Sequence, residues 1–265
     1  MTTDTPAVAE NRPISVWAYQ GRNVDLKVRE DASLTLARDE PKGQNGWMLG
    51  LEFGTFAHLI QLLTGQFDLP SYFCGNLFFN CGPIRPGQVQ FLAIHAHGAS
   101  GVVDVDGLSS SAADVTPLLQ NNPDYLSRIS IHGKFAPQIA ALNQVLSSDG
   151  GVFFMGCNVA LRDPGTEFLL EMSRALPGRF IGGITTIGYS DPSRQRDPGG
   201  PGRNYPGVRD TEYGSHKVAG MPPRDYESSV FWNDLNRLPW ADWHSRHGKF
   251  AKDGILVRDA PGPSQ

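Results

Sequence analysis

The 265-residue chain has little cysteine, no excess of basic charge and no long apolar run, and each shortage closes off a class of protein. Three cysteines, Cys74, Cys81 and Cys157, are too few and the wrong parity for a disulfide scaffold. They suit a reducing compartment, with a Cys74–Cys81 bridge left open as an alternative. Lys and Arg number 23 against 27 Asp and Glu, and the net charge of −4 leaves no basic stripe for a nucleic acid to follow. No apolar stretch approaches the roughly 18 residues that a membrane span requires. The first residues, MTTDTPAVAENRP, lack the basic-then-apolar order of a secretory signal. The expectation is therefore a cytoplasmic protein, or one secreted by a route that reads no signal peptide. Glycine (30) and proline (20), in contrast, are plentiful and call for many loops. The length suits one large core, or one large and one small.

Residues 1–13 read as a flexible tail. Ile14–Tyr19 and Trp47–Phe53 read as strands, and Phe56–Leu63 as a short helix stopped by Gly65. The aromatic, Gly- and Pro-rich residues 66–88 show no period and are expected to be irregular. From residue 89 the pattern becomes strand, helix, strand, helix, strand. Val89–Ile94 and Val152–Met155 are compact apolar runs with the length of buried strands, and Phe180–Ile187 is a third. Phe135–Leu146 places Ile139, Leu142, Val145 and Leu146 at helical spacing, and Gly150–Gly151 is expected to end that segment. Gly165–Leu176 is amphipathic. Leu126–Ile131 reads as a strand or a helix end, and Val102–Val105 as a strand running into an Asp106–Gly107 hairpin turn. The alternation predicts an α/β domain over residues 14–190, a mostly parallel sheet flanked by helices. Residues 191–225 are dense in Gly, Pro and charge and read as a loop or linker. Residues 226–265 read as a C-terminal extension, with Trp232, Trp240 and Trp243 suited to a small helical lid.

Chemistry concentrates at two strand ends. In FLAIHAHGASG, residues 91–101, a buried strand runs into His97 and then Gly98. In VFFMGCNVA, residues 152–160, another runs into Gly156 and Cys157. Ligands collect at the carboxyl ends of parallel strands, so neighbouring strands would set His97 and Cys157 side by side on the rim. A thiol nucleophile needs a lowered pKa, which a helix start or an imidazolium supplies.

The order His then Cys, each after a buried strand, resembles the caspase-like cysteine peptidases. In particular, His97-Gly98-Ala99-Ser100-Gly101 and Gly156-Cys157-Asn158-Val159-Ala160 resemble the HGxxG and GCNxA elements of a caspase-like domain found in large bacterial surface proteins. The likeness covers residues 89–188. It implies a caspase-like sheet with added N-terminal strands and a C-terminal extension. It also implies an endopeptidase acting on protein or peptide substrates through a thioester acyl-enzyme, with no cofactor and no metal. Cys157 would be the nucleophile, and His97 the proton donor to the leaving amine. The backbone N–H groups of Gly98 and Cys157 would form the oxyanion hole. A loop after the Phe180–Ile187 strand walls the first specificity pocket in such enzymes. Asp191 there would select a basic residue, unless it is simply a turn aspartate.

Rival readings stand beside these. A cysteine after an apolar strand is commonly a small buried hydrophobe. His132, which also precedes a glycine, is an alternative partner 25 residues before Cys157. His97 is preferred because its strand is longer and Gly101 completes the HGxxG element. His95, His97 and Cys157 could share a zinc ion, but a core histidine bonded to backbone is the preferred reading of His95. The aspartates of Val103–Gly107 could bind calcium or lie in a solvated hairpin. His216, His244 and His247 read as surface residues. At the level of function, the alternatives are a catalytically degenerate caspase-like module that binds a partner protein, or a regulated bacterial effector. In the latter, self-cleavage within residues 190–225 would switch the peptidase on.

Overall fold

The computed structural model describes residues 14–22, 47–66, 73–74, 77–78, 84–184 and 248–257. Among the described residues the main sheet has nine strands. Five parallel ones form its centre: β1 (Ile14–Gln20), β2 (Trp47–Phe53), β5 (Val89–His95), β9 (Leu146–Phe154) and β10 (Phe180–Gly183). Two-residue strands β3 (Phe73–Cys74) and β4 (Leu77–Phe78) extend one edge, and β11 (Lys249–Lys252) and β12 (Ile255–Val257) the other, all antiparallel. The spatial order is β4-β3-β2-β1-β5-β9-β10-β11-β12. The α/β class and the mostly parallel sheet flanked by helices are thus as the sequence predicts.

Among the described residues three helices cover one face: α1 (Phe56–Leu63), α2 (Ala136–Val145) and α3 (Arg162–Ala175). Their common side follows from handedness. The connections β2 to β5, β5 to β9 and β9 to β10 all step toward the same edge, and right-handed crossovers in one direction stack on one face. Alternate strand residues meet them there: Val16, Ala18, Leu51, Phe53, Leu92, Ile94, Val152, Phe154 and Ile181. Phe154 stands edge-on to Phe168 of α3, and Phe56 of α1 edge-on to Phe135 beside α2. α1 begins at Thr55, whose hydroxyl accepts from the His58 N–H at 3.1 Å, a serine/threonine-type cap. The opposite face is also buried. There Phe91, Phe153 and Phe250 form a stacked row with centroids 6.4 and 5.4 Å apart. Gly182 lies under this row, and its lack of a side chain lets Phe250 reach across β10 to Phe153.

The structure changes five local readings, the first being that residues 66–88, expected to be irregular, hold β3 and β4 at the sheet edge. Gly150 and Gly151 do not interrupt the chain but lie within β9 at a register shift against β5; a Cβ on Gly151 would meet the Phe180 carbonyl at 2.7 Å. Asp106–Gly107 is not a hairpin turn. The hairpin precedes it, joining β6 (Gly98–Ala99) to β7 (Val102–Val103) through Ser100–Gly101. Leu126–Ile131 is a strand only at β8 (Leu126–Ser127), which completes this second, three-stranded sheet; turns follow. In the C-terminal extension, the described part is the β11–β12 hairpin rather than a helix; the three tryptophans lie outside the described residues. Its turn, Asp253–Gly254, has positive φ at both residues (51° and 78°), the pattern of a type I′ turn. The turn is docked on the end of α3: Gly254 N–H donates to Ser173 Oγ, and Gly178 N–H to Asp253 Oδ1.

Among the described residues no helix is long and apolar enough to cross a membrane. The aromatic row yields a stability test. A Cβ on Gly182 would fall 2.2 Å from Phe250 and 2.3 Å from Phe153, so Gly182→Val should lower stability by about 1–3 kcal/mol, read from the urea midpoint.

Candidate active site

β5 and β9 are adjacent and parallel, with Phe91, Leu92, Ala93 and Ile94 opposite Gly151, Val152, Phe153 and Phe154. The Met155 N–H extends this ladder by donating to the Ile94 carbonyl at 2.9 Å. The offset is 60 residues, the same separation as His97 and Cys157. Both residues lie just past the carboxyl ends of these two neighbouring strands. His97 is buried, and Cys157, in no disulfide, is half-buried.

Two glycines bring the loops into contact. A Cβ on Gly98 would lie 3.0 Å from Gly156 Cα and 2.7 Å from Val159 Cγ2. A Cβ on Gly156 would lie 3.1 Å from Gly98 Cα and 2.9 Å from the Ala96 carbonyl. Neither position has room for a side chain. The His-Gly and Gly-Cys pairs therefore have a steric origin: each motif supplies bare backbone where the other needs it.

The hairpin that follows His97 then grips the segment after Cys157. Ser100 and Gly101 form its turn, and Gly101 takes φ +74° while Ser100 does not, as in a type II turn. The Gly101 N–H donates to the Val159 carbonyl at 2.9 Å, and Ser100 Oγ donates to the Leu161 carbonyl. On the other side the Ala160 N–H donates to the Ile184 carbonyl at 2.9 Å, past the end of β10. Val159 and Ala160 are fully buried, and Gly165 of α3 packs so closely that its Cβ would stand 2.4 Å from the Val159 carbonyl. The gripped segment is strained. Asn158 and Arg162 are both left-handed, at φ 58° and 57°. Such a conformation costs about 1–2 kcal/mol in a residue with a Cβ, and asparagine tolerates it best. Gly156, Asn158, Val159 and Ala160 thus each have a structural reason for their identity.

The backbone of the hairpin also bears on the site. Asp104 N–H donates to the His97 carbonyl at 2.8 Å, which makes Gly98 and Val103 the non-hydrogen-bonded pair of the hairpin. The Gly98 N–H is therefore turned away from β7, toward the outer edge of β6, which is the edge strand of its sheet.

The aspartates of the VDVDG stretch have internal roles. Asp104 is buried, and its carboxylate accepts from the N–H groups of Leu108 and Ser109 at 2.9 and 2.8 Å. Asp106 Oδ1 accepts from the Phe56 N–H, anchoring the start of α1, and Oδ2 pairs with Lys134 at 2.9 Å. This replaces both the calcium loop and the solvated hairpin. Among the described residues no group of three His, Cys, Asp or Glu side chains is placed to hold a metal ion, so His95, His97 and Cys157 do not form a zinc site there. His95 is buried as the last residue of β5.

His132 is placed differently from His97. It sits on the turns after β8, with its side chain 61% exposed and Nε2 2.6 Å from Glu171 on α3. That bond holds the Glu171 carboxyl below its usual range, with Arg174 adding to the effect. It is not at the end of a strand of the main sheet. Asp191, the 190–225 segment, Cys81 and the histidines 216, 244 and 247 lie outside the described residues, as does the side chain of Cys74. Ser100 and Asn158 stand in the two motifs, but the sequence assigns neither the role that the turn gives it. A Ser-Gly dipeptide after a strand end and an asparagine directly after the cysteine were the available signals.

No family model, curated protein or solved structure matches the chain. The strained elbow can be tested without knowing the activity. Asn158→Gly should leave the urea midpoint near wild type or raise it, because glycine adopts φ 58° freely. Asn158→Val should lower stability by about 1–2 kcal/mol.

Proposed function

We propose that the chain is a caspase-like cysteine endopeptidase with Cys157 as nucleophile and His97 as its acid–base partner. The observation that carries the reading is the contact between the two motif loops at Gly98 and Gly156, which follow the carboxyl ends of the neighbouring parallel strands β5 and β9. The strain after Cys157 supports it, since backbone outliers held in place by surrounding bonds cluster at functional sites.

In the proposed reaction the Cys157 thiolate attacks the scissile carbonyl carbon of a protein or peptide. The negative charge that develops on oxygen is met by the N–H groups of Gly98 and Cys157. As the C–N bond breaks, His97 gives its proton to the departing amine, leaving a thioester on Cys157. Water, deprotonated by His97, then attacks the thioester and releases the new carboxyl end. Every group used belongs to the chain, so the reaction draws on no cofactor. Asp191 as a selector of basic residues, and self-cleavage within 190–225 as a trigger, belong to the same proposal. So does action in the cytoplasm or after signal-independent secretion. A non-catalytic module with the same sheet is the alternative.

The test uses the full chain with a thiol-directed peptidyl probe and a mixed peptide library. Wild type should label and cleave. Cys157→Ala and His97→Ala should each lose at least 10²–10³ in rate, while His132→Ala should stay within a fewfold of wild type. A wild-type chain that neither labels nor cleaves overturns the reading in favour of the non-catalytic module. Loss of activity in His132→Ala with His97→Ala active would transfer the partner's role. An independent arm is Gly98→Ala. Its added Cβ meets Gly156 Cα at 3.0 Å, so cleavage should fall at least tenfold through separation of the loops.

A further inference from the structure

We infer that Ser100 is a positioning residue for Cys157, acting through the strained turn that follows the cysteine. The inference rests on the peptidase reading for its catalytic consequence, but its geometry stands apart from it. Cys157 is carried on a segment whose two left-handed residues, Asn158 and Arg162, resist the shape they hold. Such a turn keeps its form only under external restraint. Two restraints come from one place, the Ser100–Gly101 turn: Gly101 N–H on the Val159 carbonyl and Ser100 Oγ on the Leu161 carbonyl. The first is a backbone bond that any residue at 101 could make, provided it tolerates φ +74°. The second depends on a side chain, and serine's hydroxyl is its whole source.

Leu161 is the pivot. It is the N-cap residue of α3 and has no side-chain oxygen of its own with which to cap the helix. Its carbonyl receives both the Gly165 N–H, at 3.3 Å, and the Ser100 hydroxyl. One hydroxyl therefore ties the His97 hairpin to the point where the cysteine turn becomes a helix. Ser100 is buried, so water does not readily replace the bond. The hairpin leads directly from His97, whose carbonyl is held by the Asp104 N–H. Ser100 consequently fixes the cysteine segment relative to the histidine segment, rather than fixing either alone. It touches no reacting atom. Its loss should let the turn after Cys157 relax, which changes where the sulfur sits relative to His97 and so its reactivity.

The experiment compares wild type, Ser100→Ala and Ser100→Thr in the full chain. The first readout is the rate of Cys157 alkylation by iodoacetamide across pH, followed on the Cys157-containing peptide by mass spectrometry. The second is kcat and KM on a fluorogenic peptide taken from the library sequences that wild type cleaves. Ser100→Ala should change the alkylation rate at least threefold and move the midpoint of its pH profile. It should lower kcat at least tenfold with KM within about threefold. Ser100→Thr, which keeps the hydroxyl, should recover most of both. An alkylation profile in Ser100→Ala that matches wild type within a factor of two at every pH overturns the inference, even if the melting temperature falls. So does an effect on KM alone, or a Ser100→Thr chain of wild-type melting temperature that behaves like Ser100→Ala. If wild type cleaves nothing, the peptidase reading has failed by itself, and the alkylation profile alone then decides the role of Ser100.

Discussion

Gly98 and Gly156 stand so close that neither could carry a methyl group. This contact constrains everything around it. It requires β5 and β9 to be neighbours in a register that aligns their ends, and it requires both strands to stop within a few residues of one another. The sheet order and the burial of both faces serve that alignment. The two strands are buried on both faces, with Leu92, Ile94, Val152 and Phe154 on the helix side and Phe91 and Phe153 on the other, so each is packed from both sides in this register. A precise rim is therefore the product of an ordinary core.

Above the contact, the balance is between strain and restraint. Two left-handed residues raise the energy of the turn that carries Cys157. Buried Val159 and Ala160, the bonds from Ser100 and Gly101 on one side, and the bond to Ile184 on the other lower it. At about 1 kcal/mol for each hydrogen bond, the bonds alone are of the same order as the strain, and the buried side chains supply the remainder. The half-buried Cys157 thus sits beside a backbone turn held on both sides.

The sequence disclosed the main elements because their signals are local. Trp47–Phe53 and Phe56–Leu63 have the bounds that apolar pattern and a stopping glycine indicate, and α2 and β5 differ only at their ends. What was not legible depends on contacts distant in sequence. Gly150 and Gly151 look like a break and are instead a bulged stretch of strand, since the partner that makes room for them is β5. Asp106 looks like half of a hairpin turn, yet its carboxylate serves Phe56 and Lys134. His132 and His97 look alike in a sequence, each followed by glycine; only topology puts one on the rim of the main sheet and the other against Glu171. The β11–β12 hairpin was hidden too: Lys249–Lys252 carries a charge at each end, and its place beside β10 is set by a partner distant in sequence.

That place has a consequence for how the molecule can vary. β10 leaves the sheet at Gly183, and β11 enters it at Lys249, directly opposite. Both ends of the intervening chain are therefore pinned to adjacent positions on the rim that bears Cys157, whatever lies between them. The entropy of closing such a loop rises only with the logarithm of its length, about 0.6 kcal/mol per doubling. Closure by itself therefore asks little of the length of the connection between Gly183 and Lys249, and the pairing of β10 with β11 can stand while that length varies.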